Sequence, residues 1–231
     1  MAITMYDLAG VEAERRFSPF CWRTKMALAH KGLAVETVPW RFTEKDKLPQ
    51  PNAGRVPVIV DDGLVVHDST VIADYLDEHY PDRPSLFGGD TARALARFIQ
   101  NWTETVLQPG LIRLVLLDIY RHIGAADQTY FRRDRETRFG TTLEEFVGDR
   151  DARLPLFRTS LEPLRRTVER QAFISGGAPA YPDYIVFGAF MWARAISDYA
   201  LLAADDPVRA WRGRMLDLFD GLARRAPGYD A

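Results

Sequence analysis

The chain has 231 residues, of which 47% are hydrophobic and 27% are charged, as in ordinary globular proteins. Its 30 Lys and Arg residues balance 32 Asp and Glu residues, and the net charge of -2 argues against a dedicated nucleic-acid-binding protein. The single cysteine excludes an internal disulfide framework and a multi-cysteine metal site. No apolar run is long enough to span a bilayer, and the N-terminus lacks a basic-then-apolar signal pattern, so we expect a cytoplasmic protein without a membrane partner.

The first eighty residues alternate strand and helix signals. Residues 3–8 alternate in polarity like a strand, and a helix start follows, with Ser18 suited to the N-cap and Pro19 to the first helical position. Lys31 and Gly32 are typical of the last turn of that helix and its C-terminal glycine. A helix that begins at Ser18 presents free N–H groups and a positive dipole end, which would stabilise a thiolate.

Three further strands are predicted. Residues 34–38 suit a strand that Pro39 ends, and residues 41–50 suit an irregular loop or a short helix. The β-branched run 56–60 predicts a buried strand with a proline at its start. Asp61-Asp62-Gly63 is a strong hairpin signal, after which the chain returns antiparallel.

Asp68 and Ser69 then begin a helix, whose predicted apolar stripe comprises Val71, Ile72, Tyr75 and Leu76. The order βαβ, a loop, then ββα predicts a small α/β sandwich on a mixed sheet over residues 1–80. Prolines and glycines indicate a linker at residues 81–90. Strand signals are absent beyond it, so residues 91–231 are expected to form an all-helical domain.

Several features of that second domain can be placed. Helical spacing extends from residue 92 to residue 121, with a break expected near Pro109. The apolar run 183–203 is expected to be the central helix, and Pro207 is expected to begin the last one. The mixed-charge run 132–136 is typical of a solvated helical face.

Four features of the first domain suit one ligand. Ser18 begins a motif shaped like a redox Cys-x-x-Cys whose first cysteine is a serine. A cis bond between Val56 and Pro57 would turn a backbone N–H and C=O outward. Asp68 and Ser69 offer a carboxylate, a hydroxyl and the free N–H groups of a helix start. The ligand that fits is extended, zwitterionic and peptide-like, with its thiol at Ser18; cations for a second carboxylate are Arg41, Lys45, Lys47 and Arg55.

These motifs resemble those of the cytosolic glutathione transferases. Residues 1–80 resemble their thioredoxin-like domain, and residues 90–226 resemble their helical domain. The run 17–25, together with residues 184–188, further resembles the fungal and bacterial branch that includes the glutathione-dependent β-aryl etherases. The resemblance rests on Ser18-Pro19-Phe20, Asn52-x-Gly54-Arg55-Val56-Pro57-Val58-Ile59, Asp61-Asp62-Gly63 and Asp68-Ser69-x-x-Ile72-x-x-Tyr75-Leu76.

The resemblance implies a transferase that uses glutathione as co-substrate and no metal. Ser18 would hydrogen-bond the glutathione sulfur, and Val56, ahead of a cis-Pro57, would pair with the cysteinyl backbone. Asp68 and Ser69 would hold the γ-glutamyl end. The glycyl carboxylate would meet one cation among Arg41, Lys45 and Arg55.

The resemblance also implies a second substrate and an oligomeric state. The substrate would be a hydrophobic electrophile in a pocket to which Phe20, next to Ser18, contributes, together with one or two aromatic residues of the second domain. The protein would be a homodimer that pairs the first domain of one subunit with the helical domain of the other. One departure from the family is Ala180, which replaces the usual Ser or Thr N-cap three residues before Asp183 and lowers the expected local stability.

Two other functions are compatible with these motifs. Cys21 could serve a glutathione-dependent thiol–disulfide reductase, but such enzymes attack with the first cysteine of the motif, which is Ser18 here. A lone cysteine among Phe20, Trp22 and Met26 is more typical of a core. The second alternative is a non-enzymatic protein that sequesters apolar compounds and uses glutathione as an anchor.

Overall fold

A computed structural model describes residues 2–229 of the chain. The strand order across its sheet is β2-β1-β3-β4; β1 and β2 are parallel, and β3 is antiparallel to both neighbours. The predicted mixed four-stranded sheet is therefore confirmed. Its elements are β1 (Ile3–Leu8), α1 (Pro19–His30), β2 (Val35–Trp40), β3 (Val58–Asp61), β4 (Leu64–His67) and α2 (Ser69–His79), with a short 3-10 helix (Lys45–Lys47) after β2.

Strand β2 does not end at Pro39. Asp7 of β1 pairs with Pro39, and Leu8 pairs with Trp40. Because β2 is the edge strand of the sheet, a proline there can direct its missing N–H to the unpaired side. The prediction that Pro39 ends the strand was wrong for this reason.

The C-terminal part is helical, as predicted. A π-helical turn, Thr103–Leu107, joins the first two of its helices, so the break expected near Pro109 is a widened turn just upstream of it. None of the helices formed by residues 2–229 is long and apolar enough to cross a membrane. The helices are α3 (Asp90–Trp102), α4 (Gln108–His122), α5 (Ala125–Phe139), α6 (Leu143–Val147), α7 (Arg150–Ser160), α8 (Glu162–Val168), α9 (Tyr181–Ile196) and α10 (Pro207–Gly221).

Helix α9 joins the two domains at the places where α1 and α2 begin. A Cβ on Gly188 would lie 2.3 Å from the carbonyl oxygen of Pro19, so only glycine allows α9 this close to the first turn of α1. The hydroxyl of Tyr181 donates to the carbonyl of Ser69 at 2.8 Å, at the start of α2. Both helix starts are thus held by one buried helix.

Helix α9 itself begins without a side-chain cap at Ala180, as expected. The missing side-chain cap is offset by Asp183. Its buried carboxylate accepts hydrogen bonds from the backbone N–H groups of Ala180 at 3.2 Å and Ile174 at 2.7 Å. The same carboxylate accepts from Trp211 Nε1 at 3.1 Å. The helix ends at Ile196, so the predicted central helix is confirmed but is shorter than the apolar run that signalled it.

Two helix faces differ from their predictions. Ile72 and Leu76 of α2 are buried, but Val71 is 53% exposed and does not belong to the inward stripe. In α10, Leu218 and Phe219 leave the helical conformation, so the predicted apolar face is interrupted there. An apolar side chain at helical spacing need not point inward, because a helix face can also meet another subunit or solvent.

Candidate functional site

The register of the sheet brings three segments to one edge. Tyr6 of β1 pairs with Val58 of β3, and Val58 pairs with His67 of β4. The C-terminal ends of β1 and β4 and the N-terminal end of β3 therefore lie side by side. The segments that leave or enter the sheet there contain the predicted site residues, namely Ser18, the pair Val56-Pro57, and the pair Asp68-Ser69.

Ser18 is the N-cap of α1, as predicted. Its backbone is extended, and its Oγ accepts a hydrogen bond from Cys21 N at 3.2 Å. The N–H of Phe17 donates to the carbonyl of Leu8 at 3.2 Å, which holds the cap beside the end of β1. Because capping uses only a lone pair of the hydroxyl, its proton is available to a ligand at the positive end of the helix.

Cys21 is a core residue. Its side chain is completely buried, and burial together with the Asp7 carboxylate raises the pKa of its thiol well above the ordinary value. Reactive cysteines are partly exposed and have a lowered pKa. The interpretation of this cysteine as core is therefore supported, and the environment of its sulfur opposes redox chemistry.

The Val56–Pro57 peptide bond is cis, as the family resemblance implied, and so is the Gln50–Pro51 bond, which was not anticipated. The hydrogen-bonded register of β3 begins at Val58. The backbone of Val56 therefore lies outside the paired strands, while its side chain contributes to the cavity described below.

Asp68 and Ser69 form the start of α2. Asp68 has a φ of 72°, and its Oδ1 accepts from Thr70 N at 2.8 Å and from Val71 N at 3.3 Å, so it is the N-cap. Asp68 is exposed, whereas Ser69 is buried and its carbonyl is occupied by Tyr181. Neither residue lines the cavity; both lie at the same sheet edge.

A cavity of about 750 Å³ opens between the two domains. The described residues contain no group of three or more His, Cys, Asp or Glu side chains that could hold a metal ion. The N-terminal wall comprises Leu8, Phe17, Ser18, Pro19, Phe20, Trp40, Phe42, Lys45, Gly54, Arg55 and Val56. The helical wall comprises Glu104, Gln108, Pro109, Ile112, Arg113, Ile119, Tyr130, Phe131, Asp134, Arg135, Arg138, Phe139, Phe146 and Trp192.

The three cations that the resemblance assigns to the glycyl carboxylate, Arg41, Lys45 and Arg55, are not equivalent. Lys45 and Arg55 line the cavity and are exposed. Arg41 does not line it: its guanidinium lies 3.7 Å from Glu44 Oε1 and 3.4 Å from the carbonyl oxygen of Val11. Two of the three candidates are therefore available on this surface.

The loop after β2 is fastened to α5. The backbone N–H and the hydroxyl of Thr43 donate to Asp127 Oδ1 at 3.0 and 2.9 Å. Beside this contact, the ring of Phe42 packs on Tyr130 and Phe131, with centroids 6.3 and 5.7 Å apart. The loop and α5 together close one side of the cavity.

The expectation that residues 132–136 form a solvated face was partly wrong. Arg132 does face outward, where it pairs with Glu144 at 2.8 Å. Asp134 and Arg135 line the cavity, however, and burial lowers the pKa of Arg135. The spacing of these two residues from Phe131, three and four positions, places them on one helix face, and that spacing could have identified them.

Glu104 is a site residue that the sequence analysis missed. It lies in the π-helical turn, and its Oε1 is 3.0 Å from Nη1 of Arg23, a fully buried residue of α1. The guanidinium of Arg23 also lies 4.7 Å from the ring centre of Phe20. The pair could not be found from the sequence because its members are 81 positions apart.

The chain is similar to known proteins both in sequence and in structure. The protein named glutathione S-transferase Z1 of Arabidopsis thaliana is 30% identical over 130 residues, which cover 54% of this chain and 59% of that protein. A probable maleylacetoacetate isomerase of Caenorhabditis elegans is 40% identical over 92 residues, or 38% of this chain and 43% of that protein. The chain thus matches about half the length of these relatives.

Among solved structures, glutathione transferase GSTFuA2 of Phanerochaete chrysosporium is 26% identical, with a TM-score of 0.75 over 96% of this chain and 93% of that one. CsGST63524 of Ceriporiopsis subvermispora, solved in complex with glutathione, shares the fold at 22% identity, with a TM-score of 0.80 and full coverage of both chains. The family model described as glutathione S-transferase, N-terminal domain, matches residues 13–84, and the C-terminal domain model matches residues 94–220. The chain therefore belongs to the glutathione S-transferase family.

Proposed function

We propose that this protein is a glutathione transferase that ionises the glutathione thiol and directs the thiolate at a carbon of an apolar electrophile. The observation that carries the proposal is the position of Ser18. Its hydroxyl caps α1 within the wall of a cavity that both domains line. A hydroxyl donor and a helix N-terminus at one point suit a sulfur anion.

The remaining residues would hold glutathione around that point. The backbone of Val56, outside the β3 ladder, would pair with the cysteinyl unit. The Asp68 carboxylate and the start of α2, at Ser69, would take the γ-glutamyl end. Lys45 or Arg55 would meet the glycyl carboxylate, and Arg41 is the weaker candidate because Glu44 already engages it.

The demand on Ser18 can be stated as a free energy. A free thiol has a pKa of about 8.5, so little of it is ionised at neutral pH. Lowering that pKa to about 6.5 requires roughly 2.7 kcal/mol of preferential thiolate stabilisation, at about 1.36 kcal/mol per unit. A hydroxyl hydrogen bond to an anion supplies about 1.5–3 kcal/mol, which is the required order. Ser18 would thus act as an electrostatic partner and not as a covalent nucleophile.

The second substrate would occupy the remainder of the cavity. In the reaction, the sulfur–carbon bond forms and the leaving group departs with the electron pair of its former bond. Phe20, Trp40 and Trp192 line this space and suit an aromatic electrophile. The finer proposal, that aryl ethers are among the substrates, rests on the motif at residues 17–25 and on this aromatic lining.

We also propose a homodimer. Leu95 and Phe98 of α3 are 63% and 69% exposed, and Val71 of α2 is 53% exposed. The two helices are fastened together, since Arg93 Nη1 of α3 lies 2.6 Å from Asp74 Oδ1 of α2. Exposed apolar side chains on joined elements are typical of protein interfaces. A cytoplasmic location stays a prediction from the sequence.

The experiment that tests the proposal is turnover of glutathione with a panel of aryl halides and aryl ethers. Conjugation of any of these, dependent on Ser18, supports the transferase. Binding of glutathione and of apolar compounds with no conjugation would instead favour the ligand-binding alternative. Disulfide exchange that depends on Cys21 would favour the reductase.

A further inference from the structure

The helical wall of the cavity carries positive charge that the protein leaves uncompensated. Arg113 of α4 and Arg138 of α5 both line the cavity, and neither takes part in a salt bridge formed by the described residues. The two carboxylates of the same wall are already neutralised. Glu104 pairs with Arg23 at 3.0 Å, and Asp134 pairs with its neighbour Arg135.

The two unpaired guanidinium groups flank an aromatic surface. The rings of Phe139 and Phe146 are stacked, with centroids 3.9 Å apart and an interplanar angle of 12°. Arg113 lies over the Phe146 ring at 4.3 Å, and Arg138 lies 5.9 Å from the ring centre of Phe139. Arg113 is further oriented by a hydrogen bond from its Nη1 to the carbonyl of Phe146 at 3.2 Å.

Gln108 also lines this wall, but its side-chain amide nitrogen is enclosed by protein atoms and has no hydrogen-bond partner among the described residues. Because that nitrogen is not accessible from the cavity, it does not count among the donors that a ligand can reach. The wall therefore combines a stacked aromatic pair with two guanidinium groups and no free carboxylate.

These cations are separate from those available to glutathione. Lys45 and Arg55 belong to the N-terminal domain, as does Val56. If glutathione occupies the N-terminal wall as proposed, its carboxylates are met there, and Arg113 and Arg138 face the second substrate. Arg113 is half-buried and Arg138 is exposed, so an apolar neutral substrate would leave Arg113 without a counter-charge and Arg138 to solvent.

We propose that the electrophile of this transferase is a planar aromatic compound that carries a carboxylate. The inference rests on the proposed function, since it names the substrate class of the same site. The ring would lie against Phe139, because Phe139 and Arg113 already cover the two faces of Phe146, and the carboxylate would meet Arg113 and Arg138. Hydrogen bonds between guanidinium and carboxylate are among the strongest available to such a ligand.

The test uses one pair of electrophiles, 4-chloro-3,5-dinitrobenzoate and its methyl ester. In both, the glutathione sulfur bonds to the ring carbon that bears chlorine, and chloride leaves with the bonding electron pair. Because the ester activates the ring more strongly than the carboxylate does, each kcat/KM is divided by the rate constant of the uncatalysed reaction with glutathione, and we expect the higher ratio for the benzoate. Arg138→Gln should lower the benzoate value about fivefold, and Arg113→Gln/Arg138→Gln by on the order of twentyfold, with less than about a twofold effect on the ester.

The matched control is Arg133→Gln, an exposed residue on α5 that does not line the cavity. It should change neither substrate. The preference for the benzoate should also fall with added salt, because charges are screened over about 10 Å at 0.1 M ionic strength. An equal loss for benzoate and ester in Arg138→Gln, or no preference in the unaltered protein, would overturn the inference.

A binding measurement separates this inference from the proposed function. Calorimetry with 3,5-dinitrobenzoate and its methyl ester, which have no leaving group, reports the charge preference without chemistry. Tighter binding of the benzoate that Arg138→Gln weakens, in a protein that never conjugates glutathione, would refute the transferase and retain the anion site. Conjugation of glutathione, together with equal affinity for the benzoate and the ester, would support the transferase and refute the anion site.

Discussion

The hydroxyl of Ser18 is the most informative group to remove, because it has two roles that can be separated. It caps α1 through its 3.2 Å hydrogen bond from Cys21 N, and in the proposed function it donates to the glutathione sulfur. Ser18→Ala removes both. The loss of the cap should cost about 1 kcal/mol of unfolding free energy. The loss of the donor should slow turnover by on the order of a hundredfold, since one preorganised donor is worth that much in other enzymes.

Ser18→Gly separates these effects. Glycine at an N-cap costs only a few tenths of a kcal/mol, so this variant keeps most of the helix stability while it lacks the hydroxyl. If the hydroxyl stabilises the thiolate, Ala and Gly should slow turnover equally. A hundredfold loss equals about 2.7 kcal/mol, so both should raise the pKa of the bound thiol by up to about 2 units.

The assay has three readouts: ultraviolet absorbance of the bound thiolate as a function of pH, kcat/KM for conjugation, and thermal unfolding. Affinity for glutathione should change little, because most of its contacts lie elsewhere. Cys21→Ala should leave the thiolate titration and the turnover intact. A normal thiol pKa and normal turnover in Ser18→Gly, with defects only in Ser18→Ala, would show that the serine acts through helix stability alone and would refute the reasoning.

Three further results are expected. Asp68→Asn keeps the hydrogen bond that caps Thr70 N but removes the negative charge. It should weaken glutathione binding about tenfold by calorimetry, without the loss of thermal stability that Asp68→Ala should cause. Equal affinity for glutathione in Asp68→Asn and the unaltered protein would show that the charge takes no part in binding. Phe98→Glu should convert the dimer to monomers in sedimentation, whereas Leu156→Glu, at an equally exposed residue of α7, should not; a monomeric unaltered protein at micromolar concentration would contradict the interface. Burial lowers the pKa of His30, whose Nδ1 lies 2.6 Å from Tyr184 Oη. As the pH falls, the unfolded chain therefore binds the proton before the folded one does. The stability that the neutral imidazole contributes is complete above a pH of about 6.5 and should decrease as the pH drops below that value. His30→Gln should flatten this decrease in Tm, although His122, whose pKa burial also lowers, contributes in the same direction; an unchanged slope would argue against His30.

Local signals in the sequence were sufficient for much of the N-terminal domain. Ser18 and Asp68 are capping residues that act within three positions of themselves, and the Asp61-Asp62-Gly63 hairpin needs only its own backbone. Interactions this short are encoded by neighbouring residues, so pattern and propensity predict them. The four strands and the helical second domain followed from the same kind of signal, whereas the cis bond before Pro57 was implied only by the family resemblance.

The motifs also predicted that the site residues would share one edge of the sheet, although no local rule requires this arrangement. Ser18, Val56 and Asp68 meet because Tyr6, Val58 and His67 are in register across three strands. Sequence analysis treated Arg41 and Lys45 alike, but only Lys45 lines the cavity. The difference depends on Glu44, whose carboxylate holds Arg41 once the loop has its final conformation.

The helical wall was decided by tertiary structure. The hydrogen bond between Thr43 and Asp127 helps to set which face of α5 is turned toward the cavity. The ion pair between Arg23 and Glu104, which crosses the domain boundary, neutralises a carboxylate of the helical wall. Such contacts join residues about eighty positions apart, so no local pattern in the sequence indicates them. The sequence by itself determined the two folds and the helix caps at Ser18 and Asp68, because caps, turns and periodicity are local. Which side chains line the cavity was determined only when the two domains packed, because burial and charge compensation are properties of the assembled interface.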